Sequence, residues 1–150
     1  MIFPTRIFLP RTILSLVAVL LLLAPSAFAQ QSAASELTTQ SFAGTWHWMF
    51  QGKSFATMVI VVKGDGVTGS ITGASLHTDE DGKITEAIAG TGVCAIIRSS
   101  MKDGSLHVVC KADDDEIEWA VKLTSPTTAE IVASGADAPK MEPIRAEKTQ

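Results

Sequence analysis

Apolar and polar residues alternate along most of the chain from residue 42 onward, and turn residues interrupt the alternation at short intervals. In the first stretch, apolar or small residues share one side, because successive side chains of a strand point to opposite faces; they are Phe42, Gly44, Trp46, Trp48 and Phe50. Comparable stretches, several of them rich in β-branched residues, cover 55–63, 67–73, 84–92, 93–98, 106–111, 117–123, 128–134 and 143–147. The pattern predicts an all-β chain with about eight short strands.

Strands that follow one another through short turns predict a single antiparallel up-and-down barrel over residues 42–150. Closure into a barrel removes the unpaired edges that an open sheet exposes. A two-sheet β-sandwich is the alternative architecture. The inward residues that we expect to line the interior, and to bind a ligand there, are Trp48, Phe50, Ile71, Trp119 and Val121. Small barrels either fill this space with side chains or hold one small molecule.

The two cysteines, Cys94 and Cys110, lie on either side of the turn sequence Lys102-Asp103-Gly104. A hairpin with a five-residue loop here would place Ser99 opposite Ser105, and Cys94 opposite Cys110. Opposed positions on one face bring two Cβ atoms close enough for a bridge. The sequence therefore predicts a Cys94–Cys110 disulfide, with two buried free thiols as the alternative.

The first 29 residues have the pattern of a secretory signal peptide. Arg6 and Arg11 precede an apolar stretch over residues 13–23. Ala27-Phe28-Ala29 then gives the small-x-small pattern that predicts cleavage after Ala29. An apolar stretch of about 11 residues is too short to span a bilayer, which takes roughly 20. We therefore expect a secreted or periplasmic protein with no membrane span after cleavage, beginning with a flexible polar leader at 30–41.

Removal of the signal peptide makes the protein more acidic. The chain has 12 basic and 16 acidic side chains, and Arg6 and Arg11 leave with the signal peptide, so the mature formal charge is −6. An acidic protein gains nothing from counterion release on nucleic acid, and anionic lipid repels it. The expected partner is therefore a small apolar ligand or an extracytoplasmic protein, and neither nucleic acid nor a membrane.

Candidate chemistry is sparse in this sequence. The acidic run Asp113–Glu116 has the oxygen ligands that calcium prefers, but it fits a solvated turn between two strands better, and we interpret it as that turn. His47 and His107 fall on the polar faces of their strands, where exposure to solvent is expected. No Gly-x-Ser-x-Gly motif supports a serine nucleophile. The sequence predicts no catalytic residues, no metal site and no cofactor.

Gly44-Thr45-Trp46, at the start of the first strand, resembles the Gly-x-Trp signature of lipocalins and, more loosely, of avidins. The resemblance implies an eight-stranded up-and-down barrel in which Trp46 closes one end, a structural role. Phe55, Asp65-Gly66 and Thr68-Gly69 are similar to an avidin hairpin. The chain has no tyrosine, however, so the aromatic cage for biotin cannot be assembled and biotin binding does not carry over.

The strand pattern and the Gly-x-Trp resemblance together predict a secreted or periplasmic, lipocalin-like barrel that binds a small apolar ligand without catalysis. The alternative is a protein-interaction module, such as a protease inhibitor or an envelope accessory protein, that acts through its leader or its loops. The chain also resembles small bacterial inhibitors of secreted metalloproteases, which are eight-stranded barrels with an inserting N-terminal tail. It lacks their early cysteine placement.

Overall fold

The computed structural model describes residues 37–113 and 115–149. The signal peptide that the sequence predicts, and most of the predicted leader, lie outside the described residues. No helix within the described part of the chain combines the length and the apolar character needed to cross a bilayer.

The described residues form a closed barrel of eight antiparallel strands after one short helix. Each strand pairs with the next along the chain, and the first also pairs with the last, which closes the sheet. The elements are α1 (Thr39–Phe42), β1 (Gly44–Phe50), β2 (Lys53–Lys63), β3 (Gly66–Thr78), β4 (Ile84–Lys102), β5 (Ser105–Ala112), β6 (Asp115–Ser125), β7 (Thr128–Ser134) and β8 (Ile144–Lys148). The predicted up-and-down barrel is confirmed, and the sandwich alternative is wrong.

Buried apolar side chains fill the barrel interior. Alternate residues of β1, β5 and β6 point inward, as period-two patterning predicts. The largest side chains with almost no exposed surface are Trp46, Trp48, Phe42, Met58, Ile60, Leu106, Ile131 and Ile144. The described part of the chain has no buried polar or charged residue, so dispersion and the hydrophobic effect hold this interior together.

Trp46 closes one end of the barrel together with α1. Its ring is completely buried, and its indole Nε1 donates a 2.8 Å hydrogen bond to the Phe42 carbonyl oxygen. The ammonium of Lys148 lies 5.3 Å from the centre of the Trp46 ring, at a distance where a cation interacts favourably with an aromatic face. Because Lys148 is the last residue of β8, this contact joins the first strand to the last.

The start of the barrel differs from the sequence-based expectation. Residues 39–41, assigned to a flexible leader, belong to helix α1, and β1 begins at Gly44 rather than at Phe42. Phe42 is nevertheless fully buried, because the helix turns its side chain into the core. An apolar residue at this position has the same burial in either structure, so the pattern alone could not distinguish them.

The cysteine pair forms the predicted disulfide, but the predicted register is wrong. β4 is one strand over Ile84–Lys102 rather than two, and a two-residue turn at Asp103 and Gly104 follows it. Both turn residues have positive φ (50° and 74°), as tight hairpin turns require. A bulge between Ile96 and Arg98 then places Ile96, not Cys94, opposite Cys110. Cys94 bonds diagonally, with the two Cα atoms 5.4 Å apart.

Residues 74–89, which form the half of the β3–β4 hairpin nearer its tip, cross the other end of the barrel. We call this segment the covering half of the hairpin. Its tip accepts a 2.7 Å hydrogen bond at the Gly82 carbonyl oxygen from the Glu142 amide, and the Glu142 carboxylate accepts a 2.9 Å bond from the Ile84 amide. Glu142 lies in the loop between β7 and β8, which is diametrically opposite β3 and β4 in an eight-stranded barrel. Ile84 is buried in the core. The hairpin therefore covers the end that Trp46 does not close.

A glycine-rich bulge separates the covering half of this hairpin from the half that belongs to the barrel wall. Thr72 pairs with Val93 and Ala74 pairs with Ala89, so three residues of β4, Gly90–Gly92, oppose the single Gly73 of β3. A Cβ atom on Gly90 would lie 2.8 Å from the Gly73 carbonyl oxygen, closer than real side chains approach. Glycine at these positions permits the sharp change of strand direction.

Candidate ligand site at the covered barrel end

Three aromatic rings meet inside the barrel beneath the β3–β4 hairpin. The Trp48 ring packs edge-to-face against Trp119, with ring centres 4.8 Å apart, and against Phe55, with centres 6.3 Å apart. Edge-to-face pairs at these distances are favourable beyond their buried area. Trp48 comes from β1, Phe55 from β2 and Trp119 from β6, so the cluster joins opposite walls of the barrel.

A cleft opens beside this cluster. It has a volume of about 450 Å³ and lies between the β1–β2 turn and the covering half of β4; its lining includes Phe50, Gln51, Lys53, Phe55, Glu86 and Ala89. Phe55 connects the cleft to the interior, since it lines the cleft and packs its ring against Trp48. The cleft is lined by polar residues together with apolar ones, among them the rings of Phe50 and Phe55, and its size is in the range of small-molecule sites.

The five residues predicted to line the interior separate into two groups. Trp48, Phe50 and Trp119 lie at the hairpin-covered end, where Phe50 and Trp119 are only partly buried. Ile71 and Val121 lie in the packed core and are almost completely buried. Ile71 pairs with Met58, the partner of Trp46. Of the five, only Phe50 lines the cleft; Trp48 and Trp119 belong to the aromatic cluster that Phe55 joins to it, whereas Ile71 and Val121 fill the core.

Two parts of this end of the barrel do not follow from the alternation of apolar and polar residues. Phe55 begins a stretch that is apolar on both faces, so the alternation of residues there does not show that its side chain points into the aromatic cluster. Glu142 lies in an irregular segment and contacts the hairpin tip from 58 residues away in sequence. The glycines of the Gly90–Gly92 segment do indicate the bulge in β4, because glycines within a strand mark bends and close backbone approaches.

A polar network on the outer wall links β5, β6 and β7. The His107 Nδ1 lies 2.9 Å from Glu118 Oε1, and the Ser134 hydroxyl donates to the same oxygen at 3.0 Å. These hydrogen bonds, that of His107 foremost, hold the pKa of the Glu118 carboxyl below its ordinary value. The expectation that His107 is solvent-exposed is therefore wrong, since its side chain is only 19% exposed.

This network has the residue types of a serine hydrolase in a different arrangement. The Ser134 hydroxyl donates its hydrogen bond to Glu118, whereas activation of a serine nucleophile requires the hydroxyl to donate a hydrogen bond to histidine. Glu118 and Ser134 also line an outer groove of about 310 Å³, where Arg98 forms a two-point ion pair with Glu116. The arrangement ties neighbouring strands together through charge-assisted hydrogen bonds.

Glu118→Gln is expected to reduce stability at pH 7 by less than about 1 kcal/mol, since the pair is partly exposed. The folded-state pKa of Glu118 is lowered, so its contribution is present above the unfolded-state pKa, near 4.5, and is lost as the pH falls through the folded value. Urea unfolding from pH 7 to pH 3 should show the wild type and the variant converging at acidic pH. Glu80→Gln, in the exposed hairpin tip, is the control; a constant difference at every pH would contradict the prediction.

The described residues contain no group of three or more His, Cys, Asp and Glu side chains arranged to hold a metal ion. Within the acidic run, Asp115 and Glu116 belong to β6, Asp113 lies in the β5–β6 turn, and Asp114 lies outside the described residues. The Glu116 carboxylate forms an ion pair with the Arg98 guanidinium. The carboxylate therefore serves as a cross-strand ion-pair partner.

The outer wall of β2, β3 and β4 exposes three large apolar side chains. Val61, Val93 and Ile97 are 51%, 65% and 44% exposed. The register of these strands alternates the valines and isoleucine with Thr68, Ser70 and Thr72 on the same face. The hydroxyl-bearing residues of β3 therefore separate the exposed valine of β2 from the exposed apolar residues of β4.

Comparisons with known proteins add no assignment to this geometry. A scan of protein-family models, a search of curated proteins and a search of solved structures each returned no match to this chain. The fold itself is an eight-stranded antiparallel up-and-down barrel, which is compatible with a calycin-like fold.

Proposed function

We propose that this protein is a non-catalytic, extracytoplasmic barrel that binds a small apolar molecule at the hairpin-covered end. The observation that carries the proposal is the 450 Å³ cleft, where the Phe55 ring lies on the lining and also packs against Trp48, which in turn packs against Trp119. Barrels of eight strands hold ligands at their mouths when one end is closed and the other is accessible. Here Trp46 and α1 close the opposite end.

The covering half of the β3–β4 hairpin supplies a means of access. It is held by two hydrogen bonds to Glu142 and by apolar contacts of Ile84 and Leu76 with the core. The bulge at Gly73 and Gly90–Gly92 is the place where backbone torsions change most easily, because glycine has the widest conformational range. In this proposal the hairpin rotates about the bulge to admit the ligand and then closes over it.

The Cys94–Cys110 disulfide supports the proposed location. Such bonds persist in oxidising compartments and are rare in the cytosol. An extracytoplasmic carrier also has to stay folded outside the cytoplasm. A cross-link in the barrel wall next to the Gly90–Gly92 bulge contributes to that stability.

The test is binding of the neutral fluorescent probe N-phenyl-1-naphthylamine to the purified mature protein. Ala89→Phe places a ring in the cleft, since Ala89 lines it, and should weaken probe binding by about 10-fold or more, equivalent to roughly 1.4 kcal/mol. Ala95→Phe, on the same strand and exposed on the outer wall, is the matched control and should change affinity less than twofold. Absent probe binding, or equal effects of both variants, would contradict the proposal.

A further inference from the structure

The indole nitrogen of Trp48 is buried and has no hydrogen-bond partner. It is the one buried side-chain nitrogen or oxygen atom in residues 37–113 and 115–149 that lacks a partner, and the Trp48 side chain is 2% exposed. By contrast, Trp46 donates its equivalent N–H to the Phe42 carbonyl. Tryptophan N–H groups inside proteins usually find an acceptor, because leaving one unpaired forfeits the hydrogen bond that water would have made.

We infer that the bound molecule supplies the missing acceptor: it is an apolar compound with a neutral carbonyl or ether oxygen that receives the hydrogen bond of Trp48 Nε1. The inference rests on the proposed function, whose cleft borders the same cluster. Trp48 does not line the cleft itself, but Phe55 does and its ring contacts Trp48, so the inference requires the ligand to move the Phe55 ring aside. Burial of the unpaired N–H in the free protein then favours ligands that satisfy it over ligands of the same shape that do not.

The acceptor should be neutral because the interior offers no positive charge. The described core contains no buried charged or polar residue, and an unpaired carboxylate there would lose its hydration without a compensating cation. Lys53 lies on the cleft lining, but its side chain is exposed, and Glu86 on the same lining has the opposite charge. A carboxylate held near Lys53 would stay at the rim and leave Trp48 unpaired.

Three naphthalene probes of one shape separate these alternatives by calorimetry and competition with the fluorescent probe. They are 2-acetylnaphthalene, with a neutral carbonyl; 2-ethylnaphthalene, with no acceptor; and 2-naphthoate, with a carboxylate. The wild type should bind the ketone about 10-fold more tightly than the hydrocarbon, the factor expected for one satisfied buried donor, and the carboxylate no more tightly than the hydrocarbon. Trp48→Phe keeps an aromatic ring but removes the donor, and should abolish the preference for the ketone.

A second readout does not depend on the variant folding. The three tryptophans give three indole N–H signals by ¹⁵N nuclear magnetic resonance, and only that of Trp48 should lie further downfield with the ketone than with the hydrocarbon, since both probes exert the same ring-current effect. Equal affinity for ketone and hydrocarbon, a preference unchanged in Trp48→Phe, or a Trp48 signal no further downfield with the ketone than with the hydrocarbon overturns the inference while leaving the proposed function intact. Tighter binding of the carboxylate, lost in Lys53→Gln, also overturns it. Failure of all three probes and of N-phenyl-1-naphthylamine overturns both.

Discussion

Replacing Trp46 by alanine is expected to lower the free energy of unfolding by about 3–5 kcal/mol, the usual cost of removing a large buried aromatic side chain. The ring is completely buried, so its removal leaves a cavity that the closed barrel cannot readily fill. The substitution also removes the hydrogen bond to the Phe42 carbonyl and the contact with Lys148. Equilibrium urea unfolding of the mature protein measures the difference.

Two further variants separate the contributions at this end. Trp46→Phe keeps most of the buried ring but lacks the indole N–H, so both variants lose the hydrogen bond, which is worth about 1 kcal/mol. The alanine variant should lower the free energy of unfolding by more than about 1 kcal/mol beyond the phenylalanine variant, because it also removes the ring. Trp119→Ala is the matched aromatic deletion at the other end; because Trp119 is only partly buried, its cost should be smaller. A Trp46→Ala loss below about 1 kcal/mol, or one no larger than that of Trp119→Ala, would show that Trp46 does not hold α1 and β8 on the barrel.

The fold was largely predictable from the sequence because most strands have one polar face. In β1 and β6 the alternation is strict, so the inward positions of Trp46, Trp48, Trp119 and Val121 follow from period two alone. The number of strands and their sequential order then favour a meander, and eliminating strand edges favours closure. Short-range information was enough for these properties, since neighbouring strands in the chain are neighbours in the sheet.

The register of β4 and β5 was not predictable in the same way. Residues 99–102 are polar enough to resemble a loop, although they continue the ladder down to Lys102. The Asp103-Gly104 pair was the stronger signal, because aspartate followed by glycine favours a two-residue turn. The bulge at Ile97 then shifts the pairing by one residue, and such a bulge depends on barrel curvature rather than on local sequence.

The candidate site was only half predictable for a related reason. Alternation located Trp48 and Trp119, but the covering hairpin depends on contacts between its tip and Glu142, far apart in the chain. Residues 77–83 are mostly polar, a composition typical of an ordinary exposed loop. The unpaired indole of Trp48 has no sequence signature at all, since a hydrogen-bond partner is a property of three-dimensional placement.

Removing the disulfide is expected to lower the free energy of unfolding by about 3 kcal/mol, the loop-entropy value for a bridge that closes about 15 residues. The cysteines are 16 positions apart and both are buried against the core, so the Cys94→Ala/Cys110→Ala double variant adds small cavities to the entropic loss. The bridge links β4 to β5 next to the Ile96–Arg98 bulge, where ladder hydrogen bonding is interrupted. There it limits the freedom of the hairpin in the unfolded chain and supports the weakest part of the pairing in the folded one.

The double variant and reduction of the wild type should agree, because both remove the same covalent constraint. Wild-type protein unfolded in urea with a strong reductant should lose a similar amount of stability, and its intact mass should rise by the two hydrogens of the restored thiols. The double variant should be indifferent to reductant, which controls for effects of the reductant itself. A loss below about 0.5 kcal/mol in the double variant would contradict the prediction: the hairpin would then be fixed by its Asp103-Gly104 turn and its neighbours in the sheet, with the bridge adding nothing that the closed barrel does not already impose.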